Sequence, residues 1–464
     1  MTPNPVVVLD VVGLTPRLLP HMPRLSALAE EGFRARLDTV LPAVTCTVQS
    51  SLLTGLPPSE HGIVGNGWYF GELGEPLLWR QHNALVHGEK VWDAARAAAD
   101  EPYRVANLCW WYAMGAATDI VLTPRPVYHA DGRKSPDCYT VPGSLRTELT
   151  RALGTFPLFS YWGPTAGIAS SQWIARAAAH VLRTSSPDLT LVYLPHLDYD
   201  LQRFGPGSPQ AVAAAAEIDD VAGNVVDLAR DRGATVVVLS EYGITAVRRP
   251  VDVNRELRRA GLLQVYEQDG MEYLDPWTSD AFAVADHQVA HVYVRDPSLT
   301  RKVRDLLAGL AGVDEVLDGE GKARVGLDHP RSGELVVTAE PDAWFTYYYW
   351  LDDERAPDFA RTVEIHRKPG YDPAELFFDP ADRWAKLRAG MALARKTLGF
   401  RYSMNVVPLD PSPVRGSHGR LPDDPADGPV LLCSDGSVAR DSIAATDVKP
   451  FLLTLAGLRQ PVTP

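Results

Sequence analysis

Residues 42–66 read PAVTCTVQSSLLTGLPPSEHGIVGN, which predicts a threonine-rich turn, a helix ending in Thr-Gly and a following loop. A hydroxyl at the start of a helix lies where free backbone N–H groups and the helix dipole favour a bound anion. The same position suits a hydroxyl nucleophile whose proton is removed by a metal or a base. Thr45, Cys46 and Thr47 are the candidates, and a plain helix cap is the alternative for Thr45.

The composition is that of a soluble globular protein, with 45% hydrophobic and 22% charged residues in 464. A formal net charge of −13 argues against a surface that coats nucleic acid, which needs a basic face. The four cysteines are scattered and form no close pair. This spacing argues against a disulfide framework and against a structural zinc site.

The N-terminus reads MTPNPVVVLDVVG, with no basic region and with an apolar run that Asp10 interrupts. It predicts a buried strand instead of a signal peptide, and no stretch approaches transmembrane length. We therefore expect a cytoplasmic protein with no membrane partner.

Apolar, β-branched runs alternate with helical patterns along the chain. The runs Val6–Leu9, Leu189–Leu194 and Thr235–Ser240 predict buried parallel strands. The stretches Met22–Glu31 and Gln210–Arg230 predict helices. This alternation predicts an α/β protein with a doubly wound sheet.

The pattern changes after residue 249. Residues 250–333 predict a small α+β insertion, and the strand-like run Glu334–Ala339 predicts a return to the core. The expected organisation is a first core segment over 1–249, the insertion over 250–333, and a second core segment over 334–464.

Acidic residues follow the three predicted strands: Asp10, Asp198 and Glu241. Because the carboxyl ends of parallel strands meet at one edge of a sheet, we expect these acids to converge. Several buried carboxylates need cations beside them, and His418 in a late loop adds an imidazole. The combination predicts a metal site, with two ions as one arrangement. Isolated caps or salt bridges are the alternative.

At these residues the chain resembles the alkaline phosphatase superfamily, nearest its nucleotide pyrophosphatase/phosphodiesterase and phosphonoacetate hydrolase branch. In that branch a strand-end Asp precedes a Thr nucleophile, whose helix ends in Thr-Gly and is followed by His-Gly-Ile-Val and an Asn. These features match Asp10, Thr45, Thr54-Gly55, His61–Val64 and Asn66. The resemblance implies a three-layer α/β/α sandwich with a mostly parallel central sheet.

The later motifs of the family occur in order but with altered metal ligands. The resemblance implies one metal position at Asp198, Gln202 and His418, and another at Asp10, Thr45, Glu241 and Tyr242. Two of the family's three histidine ligands are thus replaced by the oxygen donors Gln202 and Tyr242, with His196 and Asp200 as alternatives to Gln202. Oxygen-rich sites favour Mg, Mn, Ca or ferric iron over zinc. The expected cofactors are two divalent ions or one ferric ion, with zinc still open.

The resemblance implies hydrolysis of a phosphodiester or pyrophosphate bond through a covalent threonine intermediate, with Asn66 holding a phosphate oxygen. The alternatives are a phosphomonoesterase, a phosphonate hydrolase, or a degenerate member that binds metal or phosphate without turnover. The expected partner is a small phosphorylated molecule, such as a nucleotide or nucleotide-sugar, and no nucleic acid polymer. The oligomeric state is open.

Three further groups have both a structural and a functional interpretation. His366, Arg367 and Lys368 form either a solvated turn or a clamp on a second acidic group of the substrate. His287 and His291 lie in a strand-like run and are expected to be structural. The aromatic residues are expected mainly in the core, with stacking on a flat substrate as the alternative; they are Trp68, Tyr69, Trp110 and the run 344–350.

Overall fold

A nine-stranded sheet forms the centre of the protein, within the residues 4–130, 134–380, 382, 384, 390 and 405–458 that the computed structural model describes. Five of its strand pairs are parallel and three are antiparallel. This confirms the α/β class with a mostly parallel sheet. Across the sheet the strands lie in the order Ser442–Ala444, Phe33–Asp38, Val430–Cys433, Thr235–Leu239, Val6–Val11, Leu189–Leu194, Val105–Leu108, Ile120–Pro124 and Cys138–Val141.

Helices cover both faces of this sheet. Every residue of Val6–Val11 and of Leu189–Leu194 is buried, which requires a layer on each side. The described α-helices are Pro23–Glu31, Thr45–Thr54, Pro58–His61, Val91–Ala98, Gly143–Leu153, Ile168–Ser185, His196–Phe204, Pro209–Asp231, Val253–Arg259, Thr300–Ala308, Gly319–Arg324 and Val448–Leu455.

The central strand is longer than its apolar run predicts. It extends to Val11, so Asp10 lies inside the strand, where it pairs in register with Tyr193 on one side and Leu239 on the other. A buried carboxylate can occupy a strand when neighbouring side chains bond to it. The ends of three parallel neighbours therefore lie together at one edge of the sheet.

A second, antiparallel sheet lies in the insertion, in the order Ala281–Asp286, Val289–Val294, Leu335–Ala339 and Val313–Leu317. Leu335–Ala339, which we assigned to the core, therefore belongs to the small sheet, and the insertion extends beyond residue 333. A central strand of either sheet is buried on both sides, so its apolar composition cannot tell which sheet it joins.

Short ribbons and 3₁₀ turns connect these layers. The two-stranded ribbons are Gly67–Phe70 with Glu75–Leu78, Val127–Tyr128 with Lys134–Ser135, Thr245–Ala246 with Gly416–Ser417, Arg249–Val251 with Ala343–Phe345, and Val265–Gln268 with Met271–Leu274. The 3₁₀ turns are Leu19–His21, Asn83–Leu85, Leu158–Ser160, Pro297–Leu299, Asp353–Arg355, Pro373–Leu376, Pro425–Asp427, Gly436–Val438 and Ala445–Asp447.

The aromatic run 344–350 is fully buried, and most of its side chains pack with the small sheet. Trp68 lies in the same cluster, whereas Trp110 belongs to the core of the large sheet. These aromatic residues therefore lie mainly in the hydrophobic cores, as expected. Among the described residues, no helix has the length and apolarity needed to cross a membrane.

One buried carboxylate joins two helices on the same face of the large sheet. Asp219, on Pro209–Asp231, accepts hydrogen bonds from the backbone N–H groups of Arg24 and Leu25, each at 2.9 Å. These are free N–H groups of the first turn of Pro23–Glu31, which no side chain of its own N-cap satisfies.

We predict that Asp219→Ala lowers the free energy of unfolding by about 1–3 kcal/mol, because it leaves two buried N–H groups without an acceptor. The neighbouring exposed Asp220 is the matched control, and Asp220→Ala should change stability by less than about 0.5 kcal/mol. Urea unfolding of both variants measures the difference. Equal stability of the two would show that the Asp219 contacts contribute nothing.

Candidate functional site

Thr45 is the first residue of the helix Thr45–Thr54, and the extended residue Val44 occupies the N-cap position. No side-chain hydrogen bond caps this helix; instead, the Thr45 hydroxyl lies 3.1 Å from the hydroxyl of Tyr242. The helix-cap alternative for Thr45 is therefore wrong. Its hydroxyl is held at the positive end of the helix and points toward the ends of the central strands.

Asp10 and Glu241 form a buried pair below this helix. Asp10 lies in the strand Val6–Val11, Glu241 follows the parallel neighbour Thr235–Leu239 by two residues, and both are 0% exposed. Gln49 bridges them: its Nε2 donates to Asp10 Oδ2 at 3.0 Å and to Glu241 Oε1 at 2.5 Å. The Gln49 Oε1 accepts from the backbone N–H of Trp111 at 2.7 Å, which fixes the orientation of the amide.

Burial dominates the electrostatics of this pair. It raises the pKa of Asp10 to about 7 and raises the pKa of Glu241 well above its ordinary value. Gln49 bonds to one oxygen of each carboxylate, so Asp10 Oδ1 and Glu241 Oε2 are buried without a partner. Two orphaned anionic oxygens beside a hydroxyl suit either a shared proton or a hard cation.

Asp198 and Gln202 lie four residues apart on the helix His196–Phe204, so they share one face. Gln202 Nε2 donates to Asp198 Oδ2 at 2.9 Å, and Gln202 Oε1 accepts from the Tyr371 hydroxyl at 2.8 Å. The Gln202 Oε1, which is the atom that could bind a metal, thus accepts a hydrogen bond from protein. The two alternatives to Gln202 have partners of their own: the helix directs His196 to Glu217 at 3.0 Å and Asp200 to Arg203 at 3.1 Å.

His418 faces the same carboxylate but does not reach it. Its Nδ1 lies 2.8 Å from the carbonyl of Ala43, and its Nε2 lies 3.9 Å from Asp198 Oδ1. The ring of Tyr242 stacks on it at a centroid distance of 3.5 Å and an interplanar angle of 7°. The Tyr242 hydroxyl, whose pKa burial raises well above its ordinary value, donates to Asp198 Oδ1 at 3.4 Å.

These contacts test the two predicted metal positions separately. At the Asp198, Gln202 and His418 position, protein hydrogen bonds hold Asp198 and Gln202, whereas His418 Nε2 faces Asp198 at 3.9 Å without a hydrogen bond. At the other position, the Tyr242 hydroxyl bonds to Thr45 and Asp198. Asp10, Glu241 and Thr45 do fit one hard cation, through the two orphaned oxygens. Over the part of the chain that the structure describes, no group of three or more His, Cys, Asp or Glu residues could hold a metal.

The side chain of Asn66 lies beside the start of the helix Thr45–Thr54, where Asp286 holds it. Its Oδ1 accepts from the N–H of Cys46 at 3.0 Å. Asp286 accepts from the Asn66 backbone N–H at 2.7 Å and from its Nδ2 at 3.0 Å. The backbone amide that follows Thr45 is therefore bonded to Asn66.

Sequence reasoning missed Asp286 and misassigned His287. His287 Nδ1 lies 2.8 Å from Asp286 Oδ1, and the ring stacks between Tyr371 at 3.5 Å and His418 at 3.8 Å. His287 lines the cavity above Thr45, whereas His291 bonds to the carbonyl of Val64 at 2.8 Å and is structural as predicted. Asp286 and His287 begin the hairpin turn between Ala281–Asp286 and Val289–Val294, which places their side chains beside Asn66 and His418.

A cavity of about 1380 Å³ opens above Thr45. Thr45, Asp198 and Tyr242 line it, together with four aromatic residues that the sequence did not single out: Trp79, Trp111, Trp162 and Tyr371. The aromatic residues that the sequence did single out do not line it. The distinction depends on which side of each loop faces the site, and this is set by tertiary packing.

Only two of the three residues of the predicted basic clamp lie at the cavity. His366 and Arg367 line the cavity, but Lys368 does not. Lys368 is 1% exposed and its Nζ lies 2.7 Å from Asp372 and 2.8 Å from Glu375. We therefore remove Lys368 from the substrate-binding set, because a buried ammonium needs carboxylate partners and already has two.

We predict that Lys368→Met lowers the free energy of unfolding by about 3–5 kcal/mol, since it leaves two buried carboxylates without their cation. The adjacent, exposed Arg367 is the matched control, and Arg367→Met should change stability by less than about 0.5 kcal/mol. Thermal and urea unfolding measure both. A stable Lys368→Met variant would contradict the structural role.

Comparisons with known proteins bear on the family and the fold. A family profile described as type I phosphodiesterase / nucleotide pyrophosphatase matches residues 6–372. An uncharacterized pyrophosphatase/phosphodiesterase of Schizosaccharomyces pombe is 23% identical over 287 residues, which are 58% of this chain and 47% of that protein. The chain thus spans about half the length of this curated relative. The profile and the relative support a hydrolase that acts on phosphorus ester bonds.

Solved structures share the fold at low identity. Murine ectonucleotide pyrophosphatase/phosphodiesterase 5, an inactive variant in complex with AMP, has a TM-score of 0.60 at 13% identity, covering 99% of this chain and 97% of that one. Phosphonoacetate hydrolase of Sinorhizobium meliloti with phosphonoformate has a TM-score of 0.61 at 17% identity, covering 98% and 96%. Both similarities confirm the alkaline-phosphatase-like fold.

Proposed function

Because the chain belongs to the type I phosphodiesterase / nucleotide pyrophosphatase family, we propose that it hydrolyses a phosphodiester or pyrophosphate bond with Thr45 as nucleophile. The observation that carries this proposal is the position of the Thr45 hydroxyl. It lies at a helix N-terminus, 3.1 Å from Tyr242, beside a carboxylate pair and in the wall of a large cavity. A small phosphorylated substrate suits this cavity, as AMP and phosphonoformate are the ligands of the two structural neighbours.

In the first step the Thr45 oxygen attacks phosphorus, the Oγ1–P bond forms, and the bond from phosphorus to the leaving oxygen breaks. The hydroxyl proton passes to Tyr242, whose own proton passes to Asp198 along the hydrogen bonds at 3.1 and 3.4 Å. In the second step water attacks phosphorus and the Oγ1–P bond breaks. Asp198 then returns its proton to the released Thr45 oxygen through Tyr242. The proton that the attacking water loses passes to solvent or to the alkoxide that left in the first step.

The helix N-terminus favours the anionic phosphorus group through its dipole, and Asn66 is held beside it by Asp286. His366 and Arg367 are the proposed contacts for a second acidic group, since both line the cavity. Asp10, Glu241 and Thr45 are the proposed holders of one hard divalent ion, which when bound neutralises the carboxylates and lowers the pKa of the hydroxyl. Their oxygen donors favour Mg, Mn or Ca over zinc.

A phosphate-binding protein without turnover is the second candidate. The hydrogen bonds that occupy Asp198, Gln202 and Tyr242 favour it, because they replace one of the two metal positions that the family resemblance implies. Phosphomonoesters and phosphonates belong in the same substrate screen, since the contacts to Thr45 do not distinguish them from diesters.

We predict that Thr45→Val lowers turnover of a 4-nitrophenyl phosphodiester by more than about a thousandfold, because the nucleophile is lost. Thr47→Val is the matched control: Thr47 is equally buried in the same helix, its hydroxyl has no partner, and its loss should change turnover less than about threefold. Equal rates for the two variants would show that Thr45 is not the nucleophile. If neither the wild type nor the variants hydrolyse the ester with any ion, the result would favour the phosphate-binding protein.

We predict one bound divalent ion per chain, measured by elemental analysis, and a loss of about a hundredfold in activity on chelation because charge neutralisation is lost. Asp10→Asn and Glu241→Gln should each remove the ion. Gln202→Ala should retain it, because Gln202 bonds only to protein groups. Two ions per chain, or loss of the ion in Gln202→Ala, would contradict the single-ion site.

A further inference from the structure

The cavity above Thr45 is larger than a phosphate or a small polar ester requires. Its volume of about 1380 Å³ exceeds the roughly 300–1,000 Å³ of ordinary ligand sites. Away from Thr45, its wall is formed mainly by aliphatic and aromatic side chains, among them Leu73, Leu77, Phe359 and Val363. Such a wall releases water when an apolar group enters and offers few partners to a polar one.

Three rings form a rigid aromatic passage next to the nucleophile. Tyr371 stacks on His287, and Trp79 and Trp162 pack against Tyr371 at centroid distances of 6.2 and 5.8 Å. Trp162 Nε1 donates to Glu375 Oε2 at 2.5 Å, which ties it to the buried Lys368 network. Trp79 has a φ of 60°, an unfavourable value for an aromatic residue that persists where the surroundings enforce it. The passage is therefore formed before any ligand binds, and it suits a flat or unsaturated group.

The mouth of the cavity is also apolar. Leu73 is 59% exposed and Tyr128 is 55% exposed, and both line the cavity. Exposed apolar side chains that continue into an apolar cavity are typical of a binding surface.

A few polar atoms in this wall lack partners within the described residues. Arg80 Nε, Gln81 Oε1 and Trp111 Nε1 are buried without a hydrogen bond, and all three residues line the cavity. Lys134, on the same wall, lies 3.9 Å from Glu364, whereas no ion pair forms at Arg80 in the described part of the chain. Glu75, Asp358 and Glu364 line the same cavity, so Arg80 shares it with carboxylates but pairs with none of them. A half-buried guanidinium without an ion-pair partner is suited to an anionic group of a ligand.

We infer that the substrate is an amphiphilic phosphorus ester, whose organic group is bulky and largely apolar and carries one anionic substituent. Arg80 binds this substituent on the wall that it shares with His366 and Arg367. This inference rests on the proposed function and narrows its substrate class. The apolar body fills the cavity, with a flat part between Trp79 and Trp162, while the phosphorus group lies at Thr45.

The test is a series of O-alkyl O-(4-nitrophenyl) phosphodiesters with methyl, butyl and octyl groups, kept below their micelle concentrations. The leaving group is constant, so only burial of the alkyl group varies. We expect kcat/KM to rise about fourfold per methylene, or about 60-fold from methyl to butyl. Thymidine 5′-(4-nitrophenyl phosphate) provides the polar comparison and should be a poorer substrate than the octyl ester.

A second ester, in which the octyl chain ends in a carboxylate, tests whether Arg80 binds the anionic substituent. Arg80→Gln should lower the ratio of kcat/KM for the carboxylated ester to that for the octyl ester by about tenfold, since a charge-assisted bond is lost. Arg151→Gln, on the exposed face of the helix Gly143–Leu153, is the control and should leave this ratio unchanged.

If kcat/KM does not rise with the length of the alkyl group, or if it is higher for the thymidine ester than for the octyl ester, the inference is overturned while the proposed function stands. Hydrolysis of no ester in the series would overturn the proposed function instead. In that case calorimetric binding of octyl phosphate, compared with inorganic phosphate, still decides the inference. Octyl phosphate should bind at least tenfold tighter, and equal affinities would contradict it.

Discussion

The site depends on one buried amide. Asp10 and Glu241 meet because Glu241 follows a strand that is the parallel neighbour of the strand of Asp10, and two carboxylates in an apolar interior cannot both ionise unaided. The Gln49 side chain bonds to one oxygen of each and is oriented by the Trp111 N–H. These bonds attach the helix Thr45–Thr54 to the end of the central sheet. They also leave the outer carboxylate oxygens beside Thr45, where one cation or one proton completes the charge balance.

The insertion holds the other side of the same site. Asp286 positions Asn66, the N–H of Gln288 donates to the carbonyl of His418 at 2.8 Å, and His291 bonds to Val64. The small sheet thus connects the loop after the helix Thr45–Thr54 to the late histidine loop, which are far apart in sequence. A rigid frame of this kind keeps the Thr45 hydroxyl and its hydrogen-bond partners in place, as the proposed reaction requires.

Much of the fold and part of the site could be predicted from the sequence. The stretch 42–66 carries the family motif, and the family and the fold that it implied are confirmed. Apolar runs located the strands well, because burial on both faces leaves a clear signal. They could not assign Leu335–Ala339 to its sheet, since burial looks the same in either.

The remainder of the site could not be predicted because it depends on long-range contacts. Gln49 looks like an ordinary helix-forming residue until two distant carboxylates are placed beside it. Lys368 looks like part of a solvated basic turn until Asp372 and Glu375 surround it. The side chain of Gln202 matches a ligand position in order along the chain, and only the Tyr371 hydroxyl reveals that its oxygen is occupied.

Trapping the covalent intermediate tests most directly whether Thr45 is the nucleophile. The wild-type protein is mixed with a 4-nitrophenyl phosphodiester, quenched in acid within one turnover, digested, and analysed by mass spectrometry. We predict an added alkylphosphoryl group on Thr45 of the wild-type protein and no such group in the Thr45→Val variant. Full turnover with this peptide unmodified, or with the group on another residue, would contradict it.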